Sequence, residues 1–153
     1  MMSPFPHHYR ASAQGNPAGH VQITDRHLRL TTDAPPEFGG PDGFWSPETL
    51  LVAAVADCYV LSFRAVARAS RLDWDALDVE VEGVLDRVEG VTRFVRFDIA
   101  ANLVLKDEGQ QPRARDAMDR AKRTCLITNS LNCECVLRSR ITVGTASRAG
   151  AVG

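Results

Sequence analysis

Four thiols and one acid carry most of the reactive chemistry this chain can offer: Cys58, Cys125, Cys133, Cys135 and Glu48. Thiols serve as nucleophiles, redox couples, metal ligands or plain packing groups, and each role demands a different spacing. There is no CxxC pair and no doublet of such pairs, so a zinc site finds little support. A four-sulfur metal site would need all four side chains to converge on one point, with bonds of about 2.3 Å.

A reactive thiol needs a cation or hydrogen-bond donors that favour its thiolate. Cys125 is well placed for this. It opens the segment "CLITNSL" directly after "RAKRT", with Arg120, Lys122 and Arg123 close in sequence, although a buried cap residue fits the same pattern. Cys58 lies in the middle of "SPETLLVAAVADCYVLSFRAVARAS", next to Asp57 and far from the helix N-terminus. By pattern alone it reads as a small core residue, because a neighbouring anion would raise its pKa. Cys133 and Cys135 are spaced i, i+2 on a strand and share one face, which reads as packing. Glu48 falls in the first helical turn, where negative charge complements the helix dipole. His7, His8, His20 and His27 cluster near the N-terminus and read as solvated or half-buried strand residues.

The rest of the chain must position these groups. Its 153 residues are 44% hydrophobic and 24% charged with a net charge of −1, the profile of a globular domain rather than a disordered chain. No block of like charge invites nucleic acid or an anionic membrane. The N-terminal stretch lacks the basic-then-apolar pattern of a secretory signal. Asp57, Arg64 and Arg68 interrupt the apolar helix, which argues against a membrane span. The expected location is cytoplasmic, where a structural disulfide framework is disfavoured.

Residues 7–31 are expected to form a hairpin of two strands around "GNPAG". "TTDAPPEFGGPDGFW" follows as a loop whose Phe38, Phe44 and Trp45 should be packed. Ser46 is a good N-cap and Pro47 a good first residue for a helix reaching about Ala69. That helix is apolar almost all round, so it should be central and covered on most sides, in part by a partner chain. Alternation over 77–88 and 91–105 predicts an antiparallel hairpin around Glu89–Gly90. An amphipathic helix over 110–124 should bury Ala114, Ala117, Met118 and Ala121. A short helical turn at 125–131 and a last strand at 133–143 complete the order β-β-α-β-β-α-α-β. This is an α+β fold with an antiparallel sheet: one domain over 1–144, then a flexible tail over 145–153.

The Pro47–Glu48 helix start, the small-residue run "LLVAAVADC" ending in Cys58, and "TCLITNSL" holding Cys125 occur in that order, with a β-hairpin between the cysteines. Together they resemble the OsmC/Ohr family, named for osmotically inducible protein C and organic hydroperoxide resistance protein, over roughly residues 7–144. The resemblance implies an intertwined homodimer with long central helices packed between sheets. It also implies an antioxidant, stress-response thiol peroxidase acting on organic hydroperoxides, with no cofactor or metal. Carried over by motif, Cys58 is the peroxidatic cysteine and passes through a sulfenic acid. Cys125 resolves it to a disulfide, which a lipoyl-type dithiol or another thiol reduces. Glu48 matches the acid that orients an arginine holding Cys58 as thiolate. Glu48 and Cys58 are ten positions apart, about 15 Å of helix rise, so one centre using both would need helices from two chains.

The chain departs from the family at that arginine. Arg10, Arg26 and Arg29 are available, yet none matches by motif, which implies a slower peroxidase. The alternative is a weakly catalytic or non-catalytic dimer that binds a small hydrophobic ligand.

Overall fold

The computed structural model describes residues 2–144, so the tail expected at 145–153 lies outside the described residues. The chain divides into two compact units, Met1–Leu51 and Val52–Gly153.

In the first unit, strands β1 (Ser12–Gln14), β2 (Val21–Asp25) and β3 (Leu28–Thr32) form an antiparallel meander. The single strand expected over 20–30 is therefore two. The chain reverses at Arg26–His27, where Asp25 pairs with Leu28 and Arg26 takes φ +50°. Tight hairpins need such positive φ, and glycine or asparagine normally signals it. Here arginine fills the position, so the sequence shows no break.

The following loop makes a 3-10 turn at Pro36–Phe38 and folds back on itself at Gly40. A Cβ there would lie 1.7 Å from the Ala34 carbonyl oxygen, so only glycine fits. The loop aromatics are not packed as expected: Phe38 is 59% exposed and Trp45 46%, while Phe44 stacks on His20 at 4.2 Å. Backbone contacts fix the loop instead, with the Asp33 N–H donating to the Trp45 carbonyl at 3.0 Å.

Helix α1 (Pro47–Ala69) starts as expected. The Thr49 N–H donates to Ser46 Oγ at 3.1 Å, and the Ser46 N–H donates to Thr49 Oγ1 at 2.9 Å. This reciprocal pair is a capping box with threonine in the usual glutamate position. The helix ends in a Schellman motif: the Leu72 N–H reaches the Ala67 carbonyl at 2.9 Å while Arg71 takes φ +52°.

In the second unit, β4 (Ala76–Val88) and β5 (Val91–Leu105) form the expected antiparallel hairpin, and both turn residues, Glu89 and Gly90, have positive φ. Helix α2 (Gln111–Thr124) buries Ala114, Ala117, Met118 and Ala121, as its periodicity predicts. A one-turn helix α3 (Leu126–Asn129) leads to β6 (Glu134–Val143). The sheet order is β4-β5-β6, and β6 pairs with β5 in parallel. The sheet is thus mixed rather than wholly antiparallel. The α2–α3 crossover returns the chain to the starting end of β5, as a parallel pairing requires. The α+β class stands.

Val55, Tyr59, Phe63, Val66 and Ala67 of α1 are buried, together with Phe97, Ile99, Leu103 and Met118. Their spacing on α1 marks one stripe. Within this one chain the helix is covered along that stripe alone, and 28% of its most apolar 18 residues are buried. By length and composition alone it could cross a membrane. Gly83 of β4 lets the helix approach the sheet. A Cβ there would meet Val52 Cγ2 at 2.8 Å and Phe94 Cε1 at 2.9 Å.

Candidate thiol site

The site is assembled where α1 meets the junction of α2 and α3. Tyr59 ties the elements together, its hydroxyl donating to the Met118 carbonyl of α2 at 3.1 Å. Burial, with Asp119 and Cys125 adding to it, pushes the Tyr59 hydroxyl well above the usual phenol range, so it stays a donor. The preceding residue, Cys58, is half-buried and lies 3.9 Å from Ser62 Oγ, one turn later. Cys125 is fully buried and forms the cap of α3, its carbonyl accepting from the Asn129 N–H at 3.0 Å and from Thr128 Oγ1 at 3.2 Å.

The two thiols meet, and their surroundings treat them oppositely. Burial pushes Cys125 up, but the Thr128 hydroxyl, the Thr128 and Ile127 N–H groups and the Cys58 thiol all favour its anion, and the result is a lowered pKa. Burial pushes Cys58 up as well. The Cys125 sulfur adds to this, and the Ile127 N–H and Ser62 hydroxyl offset it only in part. Ionisation of the pair is therefore favoured at Cys125 and opposed at Cys58.

Access runs the other way. An open groove of about 490 Å³ is lined by Cys58, Leu61, Ser62, Arg120, Thr124 and Leu126 among others, whereas Cys125 is fully buried and not part of its lining. The groove is mainly apolar, and its rim residues Leu61 and Leu126 are 51% and 73% exposed. A larger cleft, about 690 Å³, opens between His8–Ser12 and Thr24–Arg26 in the first unit, but it contains no thiol.

The structure thus brings Cys58 and Cys125 together. Arg120, close to Cys125 in sequence, also stands on the wall of the groove that Cys58 opens into, a placement no local sequence pattern records. Asp57 faces solvent and is not among the groups that weigh most on Cys58. Glu48 sits in the first turn of α1 with Oε1 buried and unpaired among the described residues. Cys133 precedes β6, and Cys135 lies in it opposite Phe97. Among the described residues, no three His, Cys, Asp or Glu side chains converge to hold a metal.

Comparison with known proteins identifies the family and the fold. The family model described as OsmC-like protein matches residues 40–140. An uncharacterized protein of Bacillus subtilis, YmaD, is 26% identical over 145 residues, which are 90% of this chain and 97% of that protein. An OsmC-like protein of unknown function from Vibrio cholerae superposes with a TM-score of 0.79 at 16% identity, over 88% of this chain and 99% of the other. An organic hydroperoxide resistance protein, OsmC, from Legionella pneumophila gives 0.70 at 24% identity, over 92% and 100%. Because the family match spans well over half of its length and its fold is shared with these structures, this chain belongs to the OsmC-like protein family.

Proposed function

We propose that the protein is a thiol-dependent peroxidase that reduces organic hydroperoxides, with Cys58 as the attacking sulfur and Cys125 as the resolving one. The placement of Cys58 on an apolar groove, close enough to Cys125 for the two thiols to perturb one another, is the observation that carries this reading. The organic group of a hydroperoxide lies against Leu61 and Leu126, which sets its O–O bond over Cys58. The Cys58 proton passes to the Cys125 anion or to solvent as the sulfur attacks the terminal peroxide oxygen. The O–O bond breaks, the departing alkoxide takes that proton from Cys125 or solvent and leaves as an alcohol, Cys125 is again a thiolate, and Cys58 becomes a sulfenic acid. The Cys125 thiolate then attacks the Cys58 sulfur, expels water after protonation and closes the disulfide. A dithiol reductant returns both to thiols.

Two copies of the chain form the working unit in this reading. The uncovered apolar side of α1 supports that assembly, as does the rise of about 15 Å between Glu48 and Cys58 on one helix. Glu48 then serves the partner's thiol, and the setting is the cytoplasm. Reduced protein treated with an organic hydroperoxide should yield a Cys58–Cys125 disulfide by mass spectrometry. Consumption of the hydroperoxide should cease in Cys58→Ser, and equal consumption by wild type and Cys58→Ser would overturn the proposal.

One observation favours a second reading, a dimer that binds a small hydrophobic ligand without turnover. No guanidinium is among the groups weighing most on Cys58, whose pKa is raised. Tight binding of an apolar ligand with no thiol oxidation would select it.

A further inference from the structure

Ser62 stands one helical turn beyond Cys58 on α1, and both side chains line the groove. Its Oγ lies 3.9 Å from the Cys58 sulfur, within reach of a hydrogen bond to sulfur. Hydroxyls on helices commonly bond back to a carbonyl three or four residues earlier, which uses up their proton. The other hydroxyls around the site do so. Thr124 donates to the Arg120 carbonyl at 2.9 Å, Thr128 to that of Cys125 at 3.2 Å and Ser130 to that of Leu126 at 2.9 Å. Ser62 does not. Among the described residues, the Cys58 sulfur is its sole side-chain hydrogen-bond partner. Ser62 is also half-buried, which limits the water that competes for its proton.

We propose that Ser62 is a catalytic residue of this site, the hydrogen-bond donor to the Cys58 sulfur as it turns anionic and to the oxygen that later leaves it. This rests on the peroxidase reading. No guanidinium is among the groups that weigh most on Cys58, so donors must support its thiolate, and Ser62 is the side chain that can. In the attack, the S–O bond forms as the O–O bond breaks, and the alkoxide leaves with a proton as described above. Ser62 stabilises the charge that the sulfur carries into this step. In the resolving step, the S–S bond forms as the S–O bond breaks. Cys125 is fully buried and no part of the groove wall, so it attacks from the protein interior. The oxygen then departs in line, toward the groove where Ser62 stands. The Ser62 hydroxyl donates to it until it takes a proton from solvent and leaves as water. The serine ends each cycle with its own proton.

The test compares Ser62→Ala, Ser62→Thr and Ser62→Val in the full chain, because threonine and valine share a shape and differ in the hydroxyl. Single-turnover consumption of tert-butyl hydroperoxide by reduced protein should slow about tenfold in Ser62→Ala and Ser62→Val, as expected for one lost hydrogen bond to a charged group. Ser62→Thr should restore most of the rate. A second arm needs no peroxide and uses a Cys125→Ser/Cys133→Ser/Cys135→Ser background. There the pH midpoint for alkylation of Cys58 by iodoacetamide should rise in Ser62→Ala and Ser62→Val and return in Ser62→Thr. A wild-type rate and midpoint in Ser62→Val, or a Ser62→Thr that matches Ser62→Val in both arms, overturns the proposal. A wild type that consumes no hydroperoxide overturns the peroxidase reading and the role at the leaving oxygen. The alkylation arm then decides by itself whether Ser62 donates to the sulfur. Circular dichroism of each variant separates these outcomes from misfolding.

Discussion

Cys58 and Cys125 lie close enough to perturb one another, yet the thiol open to the groove is pushed toward keeping its proton while the buried one is pushed toward losing it. The difference lies in the hydrogen-bond donors: four groups favour the Cys125 anion, whereas for Cys58 burial and the other sulfur prevail.

Titration should reveal this split. In a variant lacking Cys133 and Cys135, ultraviolet thiolate absorbance should rise in two separate steps, one below and one above the ordinary thiol value of 9.0. Cys125→Ser should remove the lower step and shift the upper one downward, because the neighbouring sulfur anion is gone. The stability effects have opposite signs. The lowered Cys125 pKa contributes stability above its unfolded value, and this is lost as pH falls through the folded value. The raised Cys58 pKa contributes below its unfolded value, and this is lost as pH rises through the folded one. A single step at 9.0 would contradict the site described.

Leu126 tests the groove. Because it is 73% exposed, Leu126→Asp should leave the melting temperature almost unchanged. It should raise KM for a bulky organic hydroperoxide about tenfold, roughly the effect of losing one apolar side chain's contact. Hydrogen peroxide, which has no organic group to seat, should be affected far less. Equal effects on both would argue that the groove does not hold substrate.

Gly83 tests the packing under α1. Gly83→Ala places a methyl group within 3.0 Å of Val52, Phe94 and Phe97, and such overpacking costs about 1–3 kcal/mol. Urea denaturation should show a lower midpoint with an unchanged slope.

Ser46→Ala removes one half of the capping box and should cost about 1 kcal/mol. Ser46→Asp, which keeps an acceptor for the Thr49 N–H, should recover most of this in the same denaturation assay.

Elements set by local chemistry could be read directly from the chain. Ser46–Pro47 announces the start of α1, strict alternation announces β4 and β5, and Glu89–Gly90 announces their turn. Errors arose where the deciding contact is distant or the usual signal is missing. Arg26 occupies a left-handed position with no glycine to mark it. The direction of β6 depends on which end of β5 the α2–α3 crossover reaches, which no local pattern records. The loop aromatics looked like packing residues because composition alone does not reveal that backbone hydrogen bonds hold that loop. At the site, the basic residues before Cys125 suggest a thiol with a lowered pKa, and its surroundings do push it down. The main agents, however, are the Thr128 hydroxyl, the Thr128 and Ile127 N–H groups and the Cys58 thiol rather than Arg120, Lys122 or Arg123.

The Ile127 N–H is the one donor that acts on both sulfurs. It belongs to the main chain, so its influence does not depend on which side chain stands at position 127. Position 127 can therefore drift through evolution while this donor to the thiol pair is preserved, provided that the turn still forms, Thr128 keeps its hydroxyl and proline stays out.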